Sequence, residues 1–299
     1  MDEHLIDTNW RESARLEDEL YMTELPRIYR QALRAAYALY DKACEASDNF
    51  RLTSADVLTA EPRIIKIFRF MSAPPTSQKK LGQIIGTGST EAFEAGRALD
   101  RESAARIMQF VHAHVDPLRF PWLSGSVPED ELNVALRYAR DWTCSLIANT
   151  NADTEWRNWR KRRQEAAIRS VIEAQGFALD QRSDTIRRVA DLPAGHYSVE
   201  RQVAGRPTQK ADFSVGLTNG KFAAIEAKAV GVRIDSTKRM KEIRNKHTAW
   251  NTEFGRQIEV CAVVAGWIPT NEIQSLLDEG IHVFWEHQLD TFAEFLGHP

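Results

Sequence analysis

Asp212, Glu226 and Lys228 are residues on which metal-assisted phosphodiester hydrolysis can be built. Two carboxylates can share a hard cation, and an ammonium can orient a water or stabilise charge on a pentacoordinate phosphorus. Their placement depends on the run KADFSVGLTNGKFAAIEAKA, residues 210 to 229, which reads as a β-hairpin. In the first arm Phe213, Val215 and Leu217 alternate with Asp212, Ser214 and Gly216, the period of a strand with one buried face. In the second arm Phe222, Ala224, Glu226 and Lys228 share one face, and Ala223, Ile225 and Ala227 the other. Thr218-Asn219-Gly220 between them suits a three-residue loop, with glycine at the left-handed position of a type I turn plus bulge. That loop sets Leu217 opposite Lys221 and Asp212 opposite Glu226, with Cβ atoms about 5 Å apart. A two-residue Asn-Gly turn would instead send Asp212 to the far face. The three-residue loop is the expected one. Two acids so close repel unless a cation lies between them, and Mg²⁺ fits such an oxygen-lined gap. The plain alternative is a surface strand carrying an ordinary Glu-Ala-Lys.

The elements around the hairpin must hold it in place. Ahead of it, DTEWRNWRKRRQEAAIRSVIEAQGF reads as a helix capped by Asp153 or Thr154, stopped by Gly176, and buried along Ala167, Ile168, Val171 and Ile172. Glu165 lies at the edge of that stripe, where it can face the hairpin acids or be an ordinary solvated carboxylate. Arg157, Arg160, Lys161, Arg162 and Arg163 crowd the helix start against its dipole, which points to phosphate contact, with a solvated face as the alternative. Tyr197, Val199 and Val203 mark a strand leading into the hairpin. Behind the hairpin, a helix from Asp235 or Ser236 carries Lys238, Arg239, Lys241, Arg244 and Lys246, well placed for a DNA backbone. Ile258 to Ala265 is a buried strand, a helix opens at Thr270, Ile281 to Trp285 is a further strand, and a short helix follows.

The first half reads as helical throughout. Residues 11 to 46 repeat apolar positions at helical spacing, with Pro26 suited to a first turn. Thr53-Ser54 signals another start, Ala73-Pro74-Pro75 ends a helix near Met71, and Ser77 can cap the next. IIGTGST at 84 to 90 lacks the Gly-Lys-Ser/Thr ending of a phosphate loop and is read as a helix start at Ser89 or Thr90. A helix from Asp100 to about His114 places His112 and His114 on different faces, which argues against a shared metal and for ordinary polar positions. Ser126 to Glu129 forms a capping box for an amphipathic helix running to Ile147, and Asn149 to Asp153 reads as a break. The expected division is therefore a helical domain, 1–152, and a second domain, 153–299.

A net charge of −3 provides no global field for a polyanion, so any nucleic-acid contact must be local. Three scattered cysteines, Cys44, Cys144 and Cys261, fit no metal spacing and suit a reducing compartment. The start has no signal-peptide pattern and no run is apolar enough for a membrane span, so a cytoplasmic protein is expected.

The hairpin resembles the PD-(D/E)XK nuclease signature, with Ala211 standing where the superfamily name has proline, a position that carries no metal ligand. RFMSAPPTSQKKLGQI (69–84), KADFSVGL (210–217), IEAKA (225–229), DSTKR (235–239), TAWNTEFG (248–255) and GIHVFWEHQL (280–289) resemble the XamI family of type II restriction endonucleases. The resemblance implies a mixed α/β fold, a restriction-endonuclease-like αβββαβ core with an all-helical N-terminal domain. It implies Mg²⁺-dependent cleavage of double-stranded DNA at a short specific sequence. Asp212, Glu226 and the Ala227 carbonyl would hold the metal, and Lys228 would assist the water. Glu165 would contact metal or water, since superfamily members often carry an acid on this helix. Arg160, Lys161, Arg163, Lys238, Arg239 and Arg244 would contact DNA. A homodimer follows from cutting both strands of a palindrome, and a cognate DNA methyltransferase encoded nearby would be the functional partner. The rival readings are another PD-(D/E)XK nuclease serving repair or transposition, a non-catalytic DNA-binding regulator on the same scaffold, and an interaction protein without nucleic acid.

Overall fold

The computed structural model describes residues 3–52, 54–125 and 127–297. Thr53 and Ser126, both read above as helix-start signals, lie outside the described residues. The long helix α1 (Glu3–Ala46) precedes α2 (Ala55–Ala60), α3 (Ile65–Met71), α4 (Gln78–Ile85), α5 (Glu91–Glu94), α6 (Arg101–His114) and the long α7 (Glu129–Ala174). Strands β1 (Ala178–Leu179), β2 (His196–Val199), β3 (Gln202–Val203), β4 (Gln209–Lys210), β5 (Phe213–Gly216) and β6 (Phe222–Val230) come next. The chain continues through α8 (Ser236–Phe254), β7 (Ile258–Gly266), α9 (Thr270–Asp278), β8 (His282–Trp285) and α10 (Asp290–Gly297).

Two compact units result, one of Leu25–Glu155 and one of Met1–Glu24 with Trp156–Pro299. The first 24 residues thus group with the second half, whereas the sequence placed them in the helical domain. Two local readings are also corrected. Pro26 sits inside α1 rather than in a first turn. It is tolerated because the carbonyl it leaves without an N–H donor, at Met22, lies on a turn whose Met22 side chain is 72% exposed, where water can reach it. Asn149 to Asp153 is no break but part of α7. The Thr150 and Thr154 hydroxyls donate to carbonyls four residues back, at 3.1 and 3.2 Å. The Asn151 side chain accepts from Lys66 Nζ at 2.8 Å. Polar residues that compete with a helix when free are here satisfied within it or by a neighbouring helix.

The unit of Leu25–Glu155 is built on an aromatic centre in which Phe50 meets Tyr40, Phe68 and Phe120 edge-on. Caps define its helices, with Asp100 accepting the Ser103 N–H at 2.8 Å and Ser77 the Lys80 N–H at 3.2 Å. The loop read as a false phosphate site is pressed onto α4, so that a Cβ on Gly82 would stand 2.3 Å from the Ser89 backbone.

The other unit holds a six-stranded mixed sheet in the order β1-β2-β5-β6-β7-β8. β2, β5 and β6 pair antiparallel, and β6, β7 and β8 parallel, with α8 and α9 as the crossovers. The succession α7-β2-β5-β6-α8-β7 is the expected αβββαβ core. The hairpin has the three-residue loop. Phe213 pairs with Ile225 and Gly216 with Phe222, Leu217 N–H donates to the Lys221 carbonyl at 2.9 Å, and Gly220 takes φ +79°. One sheet face, with Phe222, Ala224 and Ala262, packs on Met240, Ile243 and Trp250 of α8. The other, with Ile225 and Val263, packs on Ile168 and Ile172 of α7 and on Phe292 of α10. β7 is covered on both sides, which explains its unbroken apolar run.

Residues 3–24 belong to this assembly. Ile6 is buried with the α8 face, Ser13 Oγ accepts the Gly266 N–H at 2.7 Å, and Trp267 Nε1 donates to Asp18 at 2.9 Å. On the approach to Asp212, the buried Arg201 donates to the Asp180 carboxylate and to the Asp184 carbonyl and carboxylate. The Ala211 N–H then bonds the Arg201 carbonyl, and the Glu200 N–H bonds the Asp212 carbonyl.

Two stability predictions follow from these anchors. A Cβ on Gly216 would stand 2.2 Å from the Pro193 carbonyl oxygen. Gly216→Ala should therefore lower the urea-unfolding free energy by about 3 kcal/mol. Hydrogen bonds from Arg182, with the charges of Arg182 and Arg201, hold the Asp180 carboxyl down at about 2, against an ordinary 3.8. A depressed carboxyl stabilises the fold above its unfolded value and loses that contribution as pH falls through its folded value. Asp180→Asn should flatten stability against pH between those two values, and an unchanged acid-unfolding profile would contradict this.

Candidate active site

Regular pairing of β5 with β6 ends at Phe213 and Ile225, one position short of the acids. Two contacts carry the arrangement past that point. Asp212 Oδ2 accepts the Ala227 N–H at 2.8 Å, tying the first acid to β6. From α8, Lys246 Nζ donates to Glu226 Oε1 at 2.7 Å and to the Lys210 carbonyl at 2.6 Å. Lys228 Nζ lies between the carboxylates, 3.0 Å from Glu226 Oε2 and 3.9 Å from Asp212 Oδ2. The three residues expected to converge do so.

Glu226 is fully buried, whereas Asp212 and Lys228 each keep 16% of their side chains exposed. Burial pushes the Glu226 carboxyl above the usual range; the Lys228 ammonium opposes this and the Asp212 charge adds to it. Burial acts to lower the Lys228 ammonium, but the Glu226 and Asp212 charges outweigh it and hold the group above its ordinary value. Lys228 is thus a protonated donor in this setting.

Glu226 Oε2 is a buried oxygen whose nearest cation is the Lys228 ammonium at 3.0 Å, with no other hydrogen-bond donor on it. An unsatisfied carboxylate oxygen facing a second carboxylate is a donor set that fits a hard divalent cation. Glu226, Asp212 and the Ala227 carbonyl would hold it. Among the described residues no three His, Cys, Asp or Glu side chains are grouped as a metal cluster. Glu165 stands half-buried on α7, with its Oε1 3.3 Å from Lys161 Nζ. Burial raises its carboxyl, Lys161 counters, and the Asp212 charge adds to the rise.

The basic residues separate into two groups. Arg160 is a correction to the DNA-contact expectation, since it is 5% exposed and donates to Glu17 at 2.7 Å and to Glu286 at 2.9 Å. Its Nε and Nη1 are both engaged inside the unit. Arg244 is also drawn inward, ion-paired with Glu272 and, at 3.8 Å, with Glu279 of the neighbouring helix end. Lys161, Arg163, Lys238 and Arg239 remain at the surface. Of these, Lys161 pairs with Glu165 and Glu200, Arg163 with Glu286, and Arg239 with Glu242.

The residue whose role sequence reasoning missed is Lys246, taken there for a backbone-facing cation. A signal was present. Met240, Ile243, Trp250 and Phe254 trace the buried stripe of α8, and Lys246 sits one turn from both Ile243 and Trp250. A lysine on an apolar stripe needs an internal partner, and Glu226 is that partner.

The profile of the XamI restriction endonuclease family matches residues 48–285, a span that includes every residue of this constellation. The chain belongs to that family. It is 22% identical over 306 aligned positions to the type II restriction enzyme SalI of Streptomyces albus G, with 96% of each chain covered. No solved structure matches the chain. As a XamI-family member the protein is a restriction endonuclease, an endodeoxyribonuclease whose substrate is DNA. No helix among the described residues is long and apolar enough to cross a membrane.

The division of the basic residues is testable in this XamI-family enzyme. Arg160→Met leaves the buried Glu17 carboxylate unpaired and takes from Glu286 one of its two arginines, and should cost about 3–5 kcal/mol of stability. It should leave the salt dependence of DNA affinity unchanged, whereas neutralising the exposed Lys238, expected from the sequence to meet phosphate, should reduce that slope by about one unit. Equal slopes for Lys238→Met and wild type would remove Lys238 from the DNA-facing set.

Proposed function

We propose that the chain is a Mg²⁺-dependent type II restriction endonuclease with a PD-(D/E)XK centre, cutting double-stranded DNA at a short specific sequence. The observation that carries this reading is the convergence of Asp212, Glu226 and Lys228 beside β5 and on β6, with one ammonium between two carboxylates of which Glu226 is fully buried. The name of the relative supports the type II assignment.

When bound at Asp212, Glu226 and the Ala227 carbonyl, the ion would supply Lewis-acid polarisation of the phosphodiester. The remaining work falls to this chain's side chains. Lys228, held protonated between two carboxylates, is a donor rather than a proton acceptor. Its Nζ orients the attacking water and donates to a non-bridging oxygen as negative charge builds at phosphorus. Glu165, raised by burial, is the water contact on the α7 side. Lys161, Arg163, Lys238 and Arg239 bind the backbone from the surface, as a protein of net charge −3 requires of a local patch.

Cleavage of both strands of a palindrome calls for a two-fold arrangement of identical sites, hence a homodimer. A site-specific nuclease also needs its sites blocked on the DNA it must spare, which makes a cognate DNA methyltransferase its functional partner and the cytoplasm its compartment.

Digestion of plasmid and phage DNA tests the proposal. Discrete fragments are expected with Mg²⁺ and no cleavage with chelator, and both Lys228→Ala and Asp212→Asn should lower the rate by about a thousand-fold or more. Smeared or nicked products would point to structure-directed cutting, and cleavage in chelator would remove the metal from the reading.

A further inference from the structure

Glu226 carries an ammonium at each oxygen, Lys246 at 2.7 Å on Oε1 and Lys228 at 3.0 Å on Oε2. Only Lys228 also faces Asp212, so the gap between the two acids opens on the Oε2 side. Lys246 approaches from the opposite side and from another element. It is fixed there by its second bond to the Lys210 carbonyl, and its ammonium lies 5.7 Å from the ring centroid of the buried Trp250. Nothing requires it to leave when an ion enters.

The charges around the site balance without an ion. Asp212 and Glu226 are offset by Lys228 and Lys246, while Lys161 and Lys210 pair with Glu165 and Glu200, and Arg239 with Glu242. A divalent cation entering this half-buried, neutral group meets two ammonium charges at short range with no net negative charge to draw it. The negative charge that is missing is what a phosphodiester brings.

We infer that Lys246 is a fixed counter-cation and positioning residue that holds down the divalent-metal affinity of the DNA-free protein. The inference rests on the metal-site reading proposed above. Lys246 sets a fixed positive charge against the buried Glu226 carboxylate and holds it in place, and in doing so withholds the charge that would otherwise capture an ion before DNA arrives.

Calorimetric titration of the DNA-free protein with Mn²⁺ provides a readout independent of cleavage. Lys246→Met should bind Mn²⁺ tighter than wild type by about ten-fold or more. Lys246→Arg, which retains the charge, should stay close to wild type, and adding Asp212→Asn to Lys246→Met should abolish the gain. Thermal unfolding of each variant establishes that it is folded, and Lys246→Gln serves in place of Lys246→Met should that variant fail to fold. Affinity unchanged or weakened in the neutral variants, or a gain that survives Asp212→Asn, would overturn the inference. The two readings fail separately: the metal-site reading falls if Asp212→Asn cleaves DNA like wild type. The role of Lys246 falls if Asp212→Asn is inactive but Lys246→Met binds Mn²⁺ no tighter than wild type.

Discussion

A fully desolvated carboxylate is the constraint on which the sheet-bearing unit turns. Glu226 has no exposure of its own, and an ionised carboxyl at that depth persists only with positive charge at both oxygens. Lys228 meets one oxygen from the same strand and Lys246 the other from α8. Strand β6, the crossover helix and the segment before β5 are thereby coupled through one side chain. The sheet supplies the register, but the ionic cluster extends it past the last regular pair. A slip of one residue in the hairpin would remove Asp212 from this face and leave two ammonium groups crowded around one acid.

Much of the second half was legible because its signals are local. Alternation along 213–217 and the apolar run of β7 are read from adjacent residues alone, and of the two turns that Gly220 allowed the observed register is that of the three-residue loop. What could not be read were interactions between distant residues. Arg160 opens a row of four basic residues, and nothing adjacent to it announces that Glu17 and Glu286 will enclose it. Lys246 sits among exposed lysines and arginines on α8, and its inward turn is visible only when the apolar stripe beneath them is traced. A basic residue's sequence neighbours report the average surface they belong to; its own role depends on which way one helical turn points it.

The long helices show the same limit in a different form. Pro26 and the polar run Asn149 to Asp153 are ordinary helix-ending signals, yet α1 and α7 pass through both. Propensities of this kind amount to about 1–3 kcal/mol, and exposure of the Met22 turn or back-bonds from Thr150 and Thr154 are enough to offset them. Both readings erred near places where the compact units divide, at Leu25 and at Trp156. Cues for stopping a helix and cues for leaving a domain coincide there, and only the second kind was realised.

The joining of residues 3–24 to the sheet has a consequence for biosynthesis. Ser13 closes onto Gly266 across 253 positions, and Glu17 onto Arg160 across 143. A ribosome therefore releases one side of these contacts long before the other exists, so the early segment must wait while everything in between is translated. The unit bearing Asp212, Glu226 and Lys228 is the last to be completed, and a polypeptide interrupted before Gly266 would lack the end of the strand and the seat on which that early segment settles. Unfinished chains would accordingly carry the acids and the lysines without the scaffold that aligns them.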